Sequence, residues 1–285
     1  PRFALPQFWD NLKRLGSVRK RPSNPDEKPP ILRKTAGGRN SCENRSRRRN
    51  VRALSEIRQN GGSPQAVHIS EDGKPETSII FYDNAGEHFE PGLDIEESPG
   101  AMHVASSSAI FFLFDPVSNR NFKRLIGQHP DPQLNIGGRI DQQDTILSEM
   151  EVRIKRILSV EPSKRIDTPI AIILGKCDIW RNLLKENLEN PIKDGYLDLS
   201  IVDSNSEKLR RFMLSIDPSI PSSAQTISSN VRFFALSALG HSPEMLTLGE
   251  CAGKIAPIPE KLNPIDVDIP TIWALSQTTN LIPTR

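Results

Sequence analysis

The chain has 285 residues, of which 36% are hydrophobic and 25% charged, and its net charge is +2. This composition excludes a fully disordered chain, and the longest apolar run, Ala109 to Phe114, is far shorter than the roughly 20 residues that a membrane-spanning helix needs. The three cysteines, Cys42, Cys177 and Cys251, are too scattered for a disulfide framework or a cysteine-rich zinc site, so we expect a reducing, cytoplasmic location.

The first 62 residues differ in composition from the rest of the chain. Residues 1–52 contain 15 lysines and arginines and four acids, a net charge of +11 against −9 for the remaining residues. Phe8, Leu12 and Leu15 share one stripe and predict a short helix at 3–15, whereas frequent Pro, Gly, Asn and Ser predict an irregular segment after it. Such a basic arm is typical of nucleic-acid binding, but the scarcity of aromatic residues favours a solvated insertion.

Residues 63–285 are predicted to form an α/β domain. Strand-like runs at 66–70 and 78–83 flank a turn sequence and predict a β-hairpin. Continuous apolar runs at 108–114, 168–174 and 231–236 are typical of parallel strands that helices bury on both faces.

Helical spacing of apolar residues indicates the elements between and after these strands. Helices are predicted at 144–158, 180–188, 206–214 and 271–277. The alternation of strands and helices predicts a three-layer, mostly parallel sheet with right-handed crossovers.

Ligands of open α/β sheets bind at the carboxyl ends of the strands, so the residues just after each apolar run are informative. These segments are Asp83-Asn84-Ala85-Gly86-Glu87, Asp115-Pro116, Gly175-Lys176-Cys177-Asp178 and Ser237-Ala238-Leu239-Gly240.

The first segment fits a metal and a phosphate. Asp83 at a strand end can hold a magnesium ion, and Gly86 lets a backbone N–H approach a terminal phosphate. Asp-x-x-Gly is also a common turn, so Asp83 capping a turn is the alternative.

The later segments fit a guanine base. The carboxylate of Asp178 can accept hydrogen bonds from both N1–H and the N2 amino group of guanine, a donor pair that adenine lacks. Lys176 can lay its apolar stem along the base, and the Ala238 N–H, after Ser237, can donate to O6. Each pattern alone is common on protein surfaces.

Together and in this order, the three motifs resemble the P-loop GTPases, and most of all the bacterial double-GTPase proteins of the second type. The likeness covers roughly residues 66–240 and rests on two stretches, Phe81-Tyr82-Asp83-Asn84-Ala85-Gly86-Glu87-His88-Phe89 with Pro91-Gly92, and Phe112-Leu113-Phe114-Asp115-Pro116.

The resemblance implies a GTP/GDP-binding switch that uses Mg²⁺ and acts with protein partners in a bacterial signalling or conflict system. It implies that Asp83 positions the metal, that Gly86 senses the terminal phosphate, and that guanine is held by Lys176, Asp178, Ser237 and Ala238. Glu87 and His88 become candidates for orienting the attacking water, with structural packing as the alternative for both.

The chain departs from this pattern in three places, one of which is Glu87, where Ras-type GTPases have Gln. The chain also contains no Gly-x-x-x-x-Gly-Lys-[Ser/Thr] phosphate loop, and the nearest imitation, at 249–255, has one spacer too few and Ile255 in place of the hydroxyl residue. We expect the loop upstream of Pro1 and little nucleotide binding by this chain alone. The third departure is Gly175, where the family has Asn or Thr.

Three functions follow as hypotheses. The first is a guanine-nucleotide switch that hydrolyses GTP when its phosphate loop is present. The second is a nucleotide-free relative that serves as an interaction scaffold. The third is nucleic-acid binding through the basic arm, which would weaken steeply with salt.

Overall fold

A computed structural model describes residues 65–69, 77–84, 89, 99–135, 143–246 and 253–285. The predicted basic segment 1–62, with its helix at 3–15, lies outside the described residues. The chain divides into two units, and the described residues up to Asp83 belong to one and those from Asn84 to Arg285 to the other.

The described part of the first unit is an antiparallel hairpin. Strand β1 (Gln65–Ile69) pairs with β2 (Thr77–Phe81), and Gln65 lies opposite Phe81. The predicted hairpin is therefore present. Its second strand ends two residues before Asp83.

A parallel sheet of three strands forms the centre of the second unit. Strands β3 (Ile110–Phe114), β4 (Ile170–Leu174) and β7 (Val231–Ala235) lie in the order β3-β4-β7. Each observed strand falls within one of the three predicted apolar runs.

Six α-helices lie in the described residues, which confirms the α/β class. They are α1 (Pro99–Ser106), α2 (Arg120–Ile126), α3 (Gln143–Ile157), α4 (Leu199–Ile216), α5 (Ser219–Ile227) and α6 (Ile269–Thr278).

The two faces of the parallel sheet are covered differently. On one face, Phe112, Ile172 and Phe233 lie side by side in the main core. On the other face, Phe234 packs on Trp273 of α6 with ring centroids 5.4 Å apart, whereas Leu113, two strands away on β3, is 69% exposed. The expectation of two-sided burial thus holds along β4 but is wrong for β3, which is an edge strand of the described sheet.

One predicted helix is absent. Residues 180–188 contain a short 3-10 turn, Arg181–Leu183, after a similar turn at Cys177–Ile179. Trp180 interrupts the helical path with a φ of −136°, because its ring is fully buried and stacks on Phe212 at 5.5 Å. Tertiary burial of this side chain outweighs the local helical pattern.

Two short hairpins complete the second unit. Strands β5 (Ile192–Lys193) and β6 (Tyr196–Leu197) flank Asp194 and Gly195, both with positive φ, which suits a tight two-residue turn. Strands β8 (Glu244–Met245) and β9 (Ile255–Ala256) also pair in antiparallel fashion. Within the described ranges, the helices are too short or too polar to cross a membrane.

Candidate functional site

The carboxyl ends of the three parallel strands are level with one another. Phe114, Leu174 and Ala235 are the last residues of β3, β4 and β7 and lie opposite one another in the register. The segments that follow them therefore leave the sheet at the same edge. This alignment brings the Asp115, Gly175-to-Asp178 and Ser237-Ala238 segments to one edge of the molecule.

Lys176 occupies a turn in the left-handed region, with φ 52° and ψ 42°. For a residue with a Cβ this conformation costs about 1–2 kcal/mol, so the surrounding contacts must maintain it. The Lys176 ammonium donates to Asp115 Oδ1 at 2.9 Å, and both side chains are partly exposed. The lysine stem is thus drawn toward the end of β3.

Asp115 is itself fixed by its neighbours. The Gln143 side chain accepts from the Asp115 N–H at 2.7 Å and donates to its carbonyl at 3.0 Å. The hydroxyl of Ser118 donates to Asp115 Oδ2 at 2.9 Å. Asp115-Pro116 begins the loop after β3, and the contact with Lys176 makes this aspartate a positioning residue for the Lys176 turn.

The two predicted guanine-binding segments are joined directly. The Cys177 N–H donates to the Leu236 carbonyl at 3.0 Å, which ties the turn after β4 to the loop after β7. The Trp180 indole N–H donates to the Gly175 carbonyl at 2.8 Å and closes the same turn. The Cys177 thiol is fully buried, and this burial raises its pKa to about 12, so the thiol stays protonated and acts as a packing group.

Asp178 and Ala238 each keep an unused hydrogen-bonding group. Asp178 is half-buried, and its carboxylate has no hydrogen-bond partner within the described residues. Ala238 is exposed, and no group in the described part of the chain accepts from its N–H. An acceptor pair and a donor are therefore present on the two segments that the Cys177–Leu236 bond holds together.

Ser237 is buried and stabilises its loop through hydrogen bonds. Its backbone exchanges two hydrogen bonds with Ile265, at 3.0 and 2.8 Å, and its buried hydroxyl accepts from the Gly240 N–H at 2.9 Å. Gly240 has a φ of +70° and lies against the backbone of Asn263. The C-terminal segment thus braces the loop that presents Ala238.

The metal and catalytic candidates lie in or next to the hairpin segment. Asp83 is exposed just after β2, and its side chain contacts no other side chain among the described residues, so its carboxylate is open to a cation. Mg²⁺ keeps several waters and typically takes one or two carboxylates plus substrate phosphates, so a single aspartate fits such a site. Gly86, Glu87 and His88 lie outside the described residues.

Other site chemistry is scarce in the described residues. Across those residues, His, Cys, Asp and Glu form no group of three or more that could hold a metal ion.

The side chains that sequence reasoning missed are Gln143 and Trp180, which fix Asp115 and the Lys176 turn. Nothing in their local sequence pattern sets them apart. Gln143 contacts Asp115, 28 positions away, and Trp180 contacts the backbone carbonyl of Gly175.

No family model, no curated protein and no solved structure matches this chain.

Proposed function

We propose that this chain is a guanine-nucleotide-binding module of the P-loop GTPase type, similar to the double-GTPase proteins. The observation that carries the proposal is the pairing of the Lys176-to-Asp178 turn with the Ser237-Ala238 loop. These segments were singled out from sequence as a guanine pocket, and they lie on adjacent parallel strands with a direct backbone bond between them.

The unused groups match the edge of guanine. The Asp178 carboxylate accepts from N1–H and the N2 amino group, and the Ala238 N–H donates to O6. Adenine has an amino donor at position 6 and an acceptor at N1, the reverse of guanine. The Ala238 N–H and the Asp178 carboxylate would therefore lose their partners with adenine. Leaving a polar site group unpaired costs about 1–3 kcal/mol, enough for a tenfold to hundredfold preference.

Lys176 supplies the wall of the pocket. Its ammonium is held by Asp115, so its four-carbon stem lies across the edge of the sheet where a base plane would pack. The strained backbone of Lys176 supports a binding role, because such strain persists where surrounding contacts maintain it and clusters at ligand sites.

The phosphate side of the proposal rests on Asp83, Gly86, Glu87 and His88. Asp83 would hold Mg²⁺, which supplies charge neutralisation for phosphate oxygens when bound. Gly86 would offer its N–H to the terminal phosphate, and Glu87 or His88 would orient water. GTP hydrolysis also needs a phosphate loop, which these 285 residues lack, so the activity is proposed for a protein that supplies one.

The test compares GDP with ADP, each with Mg²⁺, by isothermal titration against the whole chain, at nucleotide concentrations up to the millimolar range because binding without the phosphate loop should be weak. Because both ligands carry the same phosphates, any binding to the basic segment is equal for both and can only reduce the measured preference. We expect GDP to bind at least about tenfold more tightly than ADP. Equal affinities for the two nucleotides would refute the guanine pocket.

A nucleotide-free scaffold is the second candidate, favoured by Gly175 in the place of an amide residue. Ligand binding to the native state raises the unfolding temperature, so a scaffold should show the same Tm with and without millimolar GDP and Mg²⁺. Determining the reading frame upstream of Pro1 separates the candidates further. An in-frame Gly-x-x-x-x-Gly-Lys-[Ser/Thr] supports the GTPase, and a stop or start codon there supports the scaffold.

A further inference from the structure

A second polar cleft lies at the amino end of β7, whereas the candidate guanine site lies beyond the carboxyl end of the same strand. Its volume is about 460 Å³, within the usual range for small-molecule sites. Helix α4, the end of α5, the start of β7 and Arg165 surround it. Its walls are mainly charged and hydroxylated side chains, so an apolar ligand is excluded.

The charges of the cleft leave one cation without a counter-ion. Glu207 accepts two hydrogen bonds from Arg210, at 2.8 and 2.9 Å, and Asp203 accepts from Arg232 at 2.6 Å. The hydrogen bond from Arg210 also holds the pKa of Glu207 below its ordinary value, so this pair stays ionised. Both carboxylates of the lining are therefore neutralised.

Arg165 is the remaining cation. Its side chain is exposed and has no ion-pair or hydrogen-bond partner in the described part of the chain. Its planar guanidinium presents a fork of N–H donors, which matches two oxygens of a phosphate or carboxylate. The cleft thus carries a net positive charge located on a group that is free to bind.

A buried hydroxyl adds a second donor. Ser206 is 5% exposed, and its Oγ accepts from the Phe233 N–H at 2.9 Å. No acceptor within the described residues takes the Ser206 hydroxyl proton, so this proton is available to a ligand oxygen. The amide of Gln225, which also lines the cleft, is exposed and has no hydrogen-bond partner among the described residues.

We propose that this cleft binds a small molecule bearing a phosphate group, with Arg165 as its main anchor. Arg165, Ser206 and Gln225 line the cleft with hydrogen-bond donors that have no acceptor in the described part of the chain. An anion with several oxygens therefore satisfies the site better than a neutral or cationic ligand. Phosphate oxygens also accept from a fork of guanidinium donors more strongly than neutral acceptors do. The site is separate from the proposed guanine pocket.

The experiment is a titration of the whole chain with pyrophosphate, without nucleotide or Mg²⁺, at near-physiological salt. Wild type is compared with Arg165→Ala and with Arg156→Ala, an exposed arginine on α3 that does not line the cleft and has no side-chain partner among the described residues. We expect Arg165→Ala to weaken binding at least tenfold and Arg156→Ala to leave it unchanged.

Three results would overturn the proposal. Absence of saturable binding to wild type excludes the site, and equal binding by wild type and Arg165→Ala places the binding elsewhere, for example on the basic segment. Citrate that competes as well as pyrophosphate excludes the preference for phosphate. Because Asp178→Asn should retain pyrophosphate binding in full, a failure of the guanine pocket and a failure of this cleft give different results.

Discussion

Gly240 occupies a position that no other residue can take without moving the chain. Its φ is +70°, and a Cβ placed there would lie 1.7 Å from the carbonyl oxygen of Asn263. The clash is with backbone, which cannot swing aside as a long side chain would. We expect Gly240→Ala to lower the free energy of unfolding by about 3 kcal/mol or more, measured by urea denaturation.

Gly253 provides the matched control. Its φ of +82° is equally unfavourable for alanine, but a Cβ there would meet no atom within 4 Å. Gly253→Ala should therefore lose about 1 kcal/mol, the conformational cost alone. Equal losses in the two variants would show that the close approach of Gly240 to Asn263 is absent.

The buried thiol of Cys177 makes stability depend on alkaline pH. An ordinary thiol ionises near pH 9.0, whereas burial raises the pKa of Cys177 to about 12. Between these values the unfolded chain loses a proton that the native chain keeps, so this group's contribution is complete below about pH 9 and is lost as pH rises toward 12.

We expect the free energy of unfolding of wild type to fall more between about pH 8 and pH 10 than that of Cys177→Ala. Urea denaturation at both pH values measures the two slopes, and the variant corrects for every other group that titrates. Parallel slopes would contradict the burial of the thiol.

At the residue scale, sequence reasoning found the groups that stand at strand ends and missed those that hold them. Lys176 and Asp178 were identified because the chemistry of a guanine edge demands particular side chains at a particular spacing. The contact between Lys176 and Asp115 was not predicted, because it joins residues 61 positions apart and depends on the register of two strands. The support from Gln143 joins residues 28 positions apart and depends on where α3 begins.

The packing of α3 against α5 depends on one buried lysine. Lys155 donates to Glu151 at 2.6 Å, to the Pro162 carbonyl at 2.7 Å and to the Thr226 carbonyl at 3.1 Å. Lys155→Met removes the donor of both carbonyls and the counter-ion of Glu151, which keeps only the Thr226 hydroxyl at 2.7 Å, so we expect a loss of about 2–4 kcal/mol in the free energy of unfolding.

Lys164→Met is the control for this change. Lys164 also pairs with a glutamate, Glu161, but both side chains are more than two-thirds exposed. Water screens such a pair, so the loss should stay below about 1 kcal/mol. Thermal or urea denaturation of the two variants measures the difference, and a loss as large for Lys164→Met as for Lys155→Met would refute the role given to burial.

At the element scale, long periodic segments were predicted well and short ones poorly. The helix predicted at 144–158 is observed as Gln143–Ile157, because its apolar spacing runs over four turns. The helix predicted at 206–214 is observed as Leu199–Ile216, since the start signal at Asp198, which accepts from the Ile201 N–H, was overlooked. Helix α5 begins directly after Pro218 and was not predicted, because only nine residues carry its pattern.

At the scale of the whole molecule, continuous apolar runs identified the strands but not the extent of their burial. Strand β4 is buried at every position, as expected for a central parallel strand, whereas Leu113 on β3 faces solvent. The sequence pattern of the two strands is the same, so their different burial depends on which helices lie over them. The hairpin, assigned by sequence to the GTPase-like domain, falls in the unit that ends at Asp83.

Asp178 is the residue proposed to recognise guanine, and one substitution tests this role directly. In Asp178→Asn an amide replaces the carboxylate, so the side chain accepts from N1–H but presents a donor where it meets position 2 of the base. Xanthine carries a carbonyl there in place of the amino group of guanine, so the variant should exchange one preference for the other.

The measurement is the affinity of wild type, Asp178→Asn and the exposed control Asp144→Asn for GDP and XDP. We expect the GDP affinity of Asp178→Asn to fall at least about tenfold and XDP to become its better ligand. Asp144→Asn should keep the wild-type affinities for both nucleotides. Unaltered GDP and XDP affinities in Asp178→Asn would contradict the guanine pocket.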